Sequence, residues 1–137
     1  MDCEPFFALA TDLLGDAWVR PERSVAGGQC VVDFFHPRTV ERLGEDGIVA
    51  AFNRSGVVWA PPARRLGVQL RVPAAHDEAT TAALAAAPFA FDRTDHRGAS
   101  APDGEMVQLL HYAVREPDVD DADLRDTLRA VAAALDV

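Results

Sequence analysis

Met106-Val107-Gln108-Leu109-Leu110-His111-Tyr112-Ala113-Val114 is the stretch whose reading decides the fold. At strand spacing Met106, Leu110, Tyr112 and Val114 share one face, and Val107, Leu109 and Ala113 share the other. A strand apolar on both faces belongs inside a sheet. Upstream, Phe89 and Phe91 stand two apart and read as the opening of a partner strand. The polar stretch Thr94 to Gly104 then turns the chain back, giving an antiparallel pair with a long connection. Pro117 ends the second strand, because it has no backbone N–H to give a ladder. Leu124, Leu128, Val131 and Leu135 follow at steps of four, three and four, the stripe of a terminal helix. Asp120 or Asp121 can cap that helix, and Asp123 places negative charge at the positive end of its dipole.

Working outward, Pro5 to Ala17 reads as a first helix, with Phe6, Ala10, Leu13 and Ala17 at helical spacing and Gly15-Asp16 loosening its end. Pro21-Glu22-Arg23 reads as an interruption. Gly27-Gly28 is a turn signal before Gln29 to His36, a β-branched and aromatic strand ended by Pro37. Arg38 to Leu43 predicts a short helix, and Ile48 to Phe52 fits helix or strand equally. Val57-Val58-Trp59 predicts a short strand. Gly67 to Val72 alternates, with Val68, Leu70 and Val72 inward and Gln69 and Arg71 on a wet side. Asp77 is expected to cap an alanine-rich helix, Glu78 to Ala87, stopped by Pro88. The order predicts one α+β domain over residues 1–137, an antiparallel sheet with N-terminal, middle and C-terminal helices packed on it.

Composition narrows the partners. The chain is 49% hydrophobic and 26% charged, which excludes a disordered segment. No apolar run reaches the ~18 residues of a spanning helix, so no membrane partner is expected. The formal charge is −9, and all thirteen basic residues are arginine. No arginine cluster exceeds Arg64-Arg65, so nucleic acid is not expected as a partner. Asp2 and Glu4 occupy positions where a secretory signal would carry positive charge, and a cytoplasmic setting is expected. Cys3 and Cys30 lack metal-ligand or CxxC spacing and read as one buried thiol and one near a mobile terminus.

The element order resembles the type III secretion chaperone-like fold, including the YbjN family of bacterial regulators. The likeness runs through Pro5–Ala17, the strands ending at Gly67–Val72, Glu78–Ala87, the pair within Phe89–Val114 and the helix Asp121–Leu135. Residues 37–60 are longer and more broken than that pattern. The resemblance implies a non-enzymatic protein that dimerises or binds a polypeptide. It carries no catalytic or ligand-binding residues with it.

Motifs for chemistry are few. No serine stands in GxSxG, and no phosphate-binding glycine loop occurs. His76-Asp77-Glu78 are consecutive, and on a helix their side chains diverge by about 100° per residue. Asp33 and His36 have opposite strand parity. The best cluster is Asp92, Asp95 and His96 on one strand of the late pair, with His111 on the other. A connection centred near Ser100-Ala101 brings Asp92 close to opposite His111, where a carboxylate could orient an imidazole as a general base. The competing reading is a solvated hairpin in which Arg93 and Arg97 pair with Asp92 and Asp95. Trp59, Phe34, Phe35, Phe52 and Tyr112 could line an apolar pocket.

The expectation is therefore a non-enzymatic protein-binding adaptor or chaperone-like regulator, a homodimer being one form open to it, without catalytic residues, cofactor or metal. The alternative is a small cofactor-independent enzyme or ligand-binding protein using His96, His111 and Asp92.

Overall fold

The computed structural model describes residues 1–47 and 53–137, with only the backbone described at residues 45–47 and 97. Helix α1 (Cys3–Leu14) leads into strands β1 (Val19–Ala26) and β2 (Gln29–Phe35), then α2 (Pro37–Gly47). Strands β3 (Ser55–Ala60) and β4 (Arg65–Pro73) are followed by α3 (Asp77–Leu84). Strands β5 (Asp92–Ser100) and β6 (Met106–Glu116) precede the terminal helix α4 (Asp121–Leu135). The six strands form one sheet in the order β1-β2-β3-β4-β6-β5, and every neighbouring pair is antiparallel. This is the α+β architecture read from the sequence, with helices from the start, middle and end of the chain on the sheet. Strand β6 lies inside it, as its two apolar faces require.

One face of the sheet makes the main core. Cys30, Val32, Phe34, Val57, Trp59, Leu66, Val68, Leu70, Val72, Leu110, Tyr112 and Val114 point inward and are buried. They meet Phe6, Ala10 and Leu14 of α1, Leu84 of α3, and Leu124, Leu128, Val131 and Leu135 of α4. Each large side chain removed from water contributes about 1.5–3 kcal/mol before entropy is counted. The N-terminus of α4 is capped by Asp120, whose carboxylate accepts from the Asp123 N–H at 2.8 Å. Among the described residues the opposite face is sealed at one end, where Phe35, Val107 and Leu109 pack with Leu43 of α2 and Ala101.

A buried histidine closes the fold. His36 is fully buried, and its Nε2 donates to the Ala134 carbonyl of α4 at 2.9 Å. Its Nδ1 accepts the Arg38 N–H at 3.0 Å, so one ring occupies orphan groups at the start of α2 and the end of α4. Arg38 Nε adds a bond to the Val137 carbonyl at 2.7 Å. Burial pushes His36 down to about 4, because the charged imidazolium would lose its hydration.

Several elements differ from the sequence reading. Residues 19–26 form an edge strand despite Pro21, which sits in a register shift between Val19 and Glu22. There a missing N–H costs no ladder bond. The hairpin into β2 turns at Gly27 and Gly28, with φ 58° and 76°, the backbone of a tight two-residue turn that disfavours side chains. Strand β5 starts at Asp92 rather than Phe89 and runs through the polar residues to Ser100. An edge strand needs no apolar alternation, and its charges discourage foreign pairing. Phe89 and Phe91 instead pack on the core from the preceding loop. Helix α2 is longer than Arg38–Leu43 but is broken by Gly44 at φ 75°. Helix α3 ends at Leu84 rather than Ala87. Ile48 to Phe52 lies outside the described residues.

The cysteines are not thiols: Cys3 and Cys30 are joined in a disulfide. The first turn of α1 lies on β2 and sets the two Cα atoms 5.3 Å apart, within bridging range. Among the described residues no helix is long and apolar enough to cross a membrane.

Candidate functional site on the open face of the sheet

Beyond the α2 end, the second face of the sheet is open among the described residues. Strand register orders what it displays. One cross-strand row runs Asp33, Gly56, Gln69, Ala113 and Asp92, and the next runs Val31, Val58, Gly67 and Arg115. Ala60 and Arg65 begin a third. Small residues in successive rows leave a shallow trough of about 340 Å³ across β2, β3, β4 and β6. Its floor is Gly56, Val58, Gly67 and Ala113, and Gln29, Asp33, Arg65, Gln69 and Arg115 form its rim.

The rim is more basic than the molecule. Asp33 is offset by Arg54, 3.6 Å away. Arg65 and Arg115, on adjacent strands, take no ion pair among the described residues. Gly67 is opposite Arg115, which makes Arg65 its diagonal neighbour, about 7–8 Å away at the backbone. The adjacent Arg64 differs completely. Its guanidinium donates to the Val119 carbonyl at 2.8 Å, pairs with Asp121 at 2.6 Å and lies over Trp59. Of this consecutive pair, one arginine holds the fold and the other faces solvent.

The histidine cluster lies on the same face, nearer the β5 edge. His96 and His111 are brought together, with ring centroids 6.0 Å apart. Asp92 is not opposite His111. It pairs with Ala113, and Thr94 is the residue opposite His111. The strand pair turns at residues 101–105, later than the Ser100-Ala101 centre expected, and β5 shifts register between Asp95 and Gly98. Such a change in turn and register moves the carboxylate away from the imidazole. Arg71 lies opposite His111 on its other side. His111 Nε2 is buried without a hydrogen-bond partner. Its pKa is lowered by burial first, then by Arg71 and His96. Asp92, opposite Ala113, is therefore not the group that orients this pair.

Other singled-out residues serve the fold. Asp77 does not cap α3. Its carboxylate accepts the Tyr112 hydroxyl at 2.6 Å and Thr81 Oγ1 at 3.2 Å, and it pairs with Arg93. The Tyr112 and Arg93 bonds hold that carboxyl below the usual range, and burial with the Asp77 bond raises the Tyr112 phenol. Arg93 therefore pairs with Asp77 rather than with Asp92 or Asp95. Trp59, Phe34 and Tyr112 fill the main core and Phe35 the smaller cluster; Tyr112 also edges an open surface hollow beside Phe89, Phe91 and Arg93, and Phe35 one beside Asp33 and Arg54. Phe52 lies outside the described residues. No group of three histidine, cysteine or carboxylate side chains converges as a metal site among the described residues.

The trough residues are only partly visible in sequence. The wet side of Gly67–Val72 is legible by alternation, but its continuation through Ala113 and Arg115 requires the β4–β6 pairing. Comparisons with protein families, with curated proteins and with solved structures find no match.

Proposed function

We propose that this protein is a non-enzymatic binding module that holds a segment of another polypeptide against the open face of its sheet. The observation that supports this is the trough itself: three strands present Gly56, Val58, Gly67 and Ala113 as a flat floor reachable from solvent. A floor of small side chains lets an incoming chain approach the sheet closely, and residues at its rim supply selectivity. The resemblance to chaperone-like regulators points the same way. Aromatic anchors do not supply the surface, since the large hydrophobics exposed among the described residues are Val25 and Met106. A partner of a different sequence fits this face better than a second copy. A two-fold contact centred here would set the basic rim against itself. A cytoplasmic setting belongs to this reading, although a disulfide is more at home in an oxidising compartment.

The test is selection from a random twelve-residue peptide library, followed by titration of the selected peptide into methyl-labelled protein. Shifts centred on Val31, Val58 and Ala113 are the expected result, and loss of binding in Gly67→Val should accompany them. Shifts centred on α3 and the Phe89–Phe91 loop would refute this placement. The second reading, a ligand pocket or enzyme at His96 and His111, is favoured by the unpartnered His111 Nε2. A metabolite screen that stabilises wild type but not His111→Phe would promote it.

A further inference from the structure

We infer that the segment held on this face is the C-terminal end of its polypeptide, with the terminal carboxylate between Arg65 and Arg115 and the last side chains over Val58, Gly67 and Ala113. This rests on the binding reading above and adds which part of the partner is held.

Arginines in this chain are almost all put to use. Arg38, Arg42, Arg54, Arg64, Arg93 and Arg129 make ion pairs. Arg23 lies over Phe7, and Arg125 acts on Asp121 one turn before it. Arg20 and Arg71 have partners too. Among the described side chains, Arg65 and Arg115 are the two arginines with no ion pair, hydrogen bond or ring contact. The chain has twenty-two acidic residues, yet these two stand as diagonal neighbours on adjacent strands, where like charges repel. The carboxylate nearest by register on this face is Asp92, opposite Ala113, and it pairs with neither of them. An anion from outside relieves the repulsion, and two guanidinium forks can take both oxygens of one carboxylate.

The rest of the face fixes where along the occupant that charge sits. Arg65 is the first residue of β4 and Arg115 the last but one of β6, so the positive charge stands at one end of the trough. At the other end a cross-strand row runs from Glu22 and Asp33, across Gly56, Gln69 and Ala113, to Asp92. Arg54 offsets Asp33, which leaves Glu22 and Asp92. Beyond that row Arg71 is already partnered, and burial holds the His111 imidazole below its ordinary pKa. A segment with carboxylates along its length would meet acidic groups there. A chain terminus brings one negative charge to the basic end alone. Gln69 lies four positions after Arg65, about 14 Å at strand rise, so about four extended residues fit between the two ends. The floor beneath them is Val58, Gly67 and Ala113, which suits small apolar side chains.

The experiment is fluorescence anisotropy with the peptide Gly-Ser-Ala-Val-Ala-Val, labelled at its N-terminus and made both as the free C-terminal acid and as the carboxamide. The free acid should bind about tenfold more tightly than the amide, or better, and added salt should weaken its binding. Arg65→Gln with Arg115→Gln should bring the acid to the level of the amide. Arg125→Gln with Arg129→Gln removes the same charge from the exposed side of α4 and should leave the preference intact. Circular dichroism confirms that each variant is folded. Equal binding of acid and amide, or a preference that survives in Arg65→Gln with Arg115→Gln, overturns the inference. So does an amide with glutamate in the penultimate position that binds as tightly as the free acid, since an internal carboxylate would then serve. Acetate competing as effectively as the unlabelled acid peptide overturns it too, as does no binding of the free acid. Gly67→Val separates this inference from the reading beneath it. If acid and amide bind wild type alike and Gly67→Val abolishes both, the face holds polypeptide and the terminal carboxylate is wrong. If Gly67→Val binds the acid as wild type does, both fall.

Discussion

Acidifying the solution should unlock the fold at His36 before the carboxylates give way. The imidazole is fully buried and acts in its neutral form, donating to Ala134 and accepting from Arg38. Its pKa falls from 6.5 in the unfolded chain to about 4 in the folded one. The folded state therefore binds fewer protons than the unfolded state between these values. Stability from this group is fully present above pH 6.5 and is lost as pH falls from 6.5 toward 4. Lowering the pH from 7.5 to 4.5 should remove about 2.5 kcal/mol through this group, because each tenfold difference in proton affinity between the two states is worth ~1.4 kcal/mol. His36→Gln keeps a polar side chain without a titrating one. At pH 7.5 it should be less stable than wild type, since either lost bond leaves a buried group unsatisfied, at about 1–3 kcal/mol. Urea unfolding at a series of pH values then decides. The gap between wild type and variant should shrink by about 2.5 kcal/mol by pH 4.5. His111, also lowered, titrates in both proteins and cancels in the difference. Parallel stability curves across that range would refute the buried neutral imidazole.

Leu128→Ala removes a fully buried residue from the centre of the α4 stripe and should cost about 2–5 kcal/mol, read as a lower denaturation midpoint. An unchanged midpoint would make α4 peripheral. Reducing the Cys3–Cys30 bridge, or replacing both cysteines by serine, opens a loop of 27 residues of sequence separation. The loss should be about 3–4 kcal/mol on the chain-entropy account, and thermal melts with and without reductant check it. Gly67→Val should raise stability by about 0.5–1 kcal/mol, since a β-branched residue replaces glycine in a strand interior, while peptide binding is lost. A destabilised Gly67→Val would show that the fold itself requires the glycine.

How legible the fold is depends on where its information is stored. The α4 stripe and the two-faced strand at 106–114 are local patterns, and both stand as read. Strand β1 is hidden because Pro21 normally argues against a strand, and only an edge position with a register shift accommodates it. Strand β5 is hidden because Asp92 to Ser100 has almost no apolar residue to alternate. The disulfide joins residues brought together by α1 lying on β2, which no spacing rule encodes. For the candidate site, sequence places His96 and His111 together correctly, but it misplaces Asp92 through the position of the turn. The trough is least visible of all. It exists only where three strands, taken from residues 55–116, align their small residues in register.

Two glycines on that floor differ in what they do. A Cβ on Gly56 would meet Asp33 Oδ1 at 3.0 Å and the Val32 carbonyl at 3.1 Å, so packing alone accounts for its absence. A Cβ on Gly67 would meet only Val58 Cβ, at 3.9 Å, which is ordinary contact. Nothing in the described packing forbids a side chain there, and glycine inside a strand weakens the sheet. The same holds for Arg65 beside it, whose charge no internal partner uses. On the core face every large residue is explained by burial. Here an unforced glycine and an unpaired arginine sit two residues apart on one central strand, each making the isolated domain slightly less stable than a routine substitution would. Features that the fold does not need, gathered on one face and absent from the other, are what a binding surface requires. The part of the sheet sealed by Leu43 of α2 shows the contrast, since there the same face carries Phe35 and Leu109 and is packed shut.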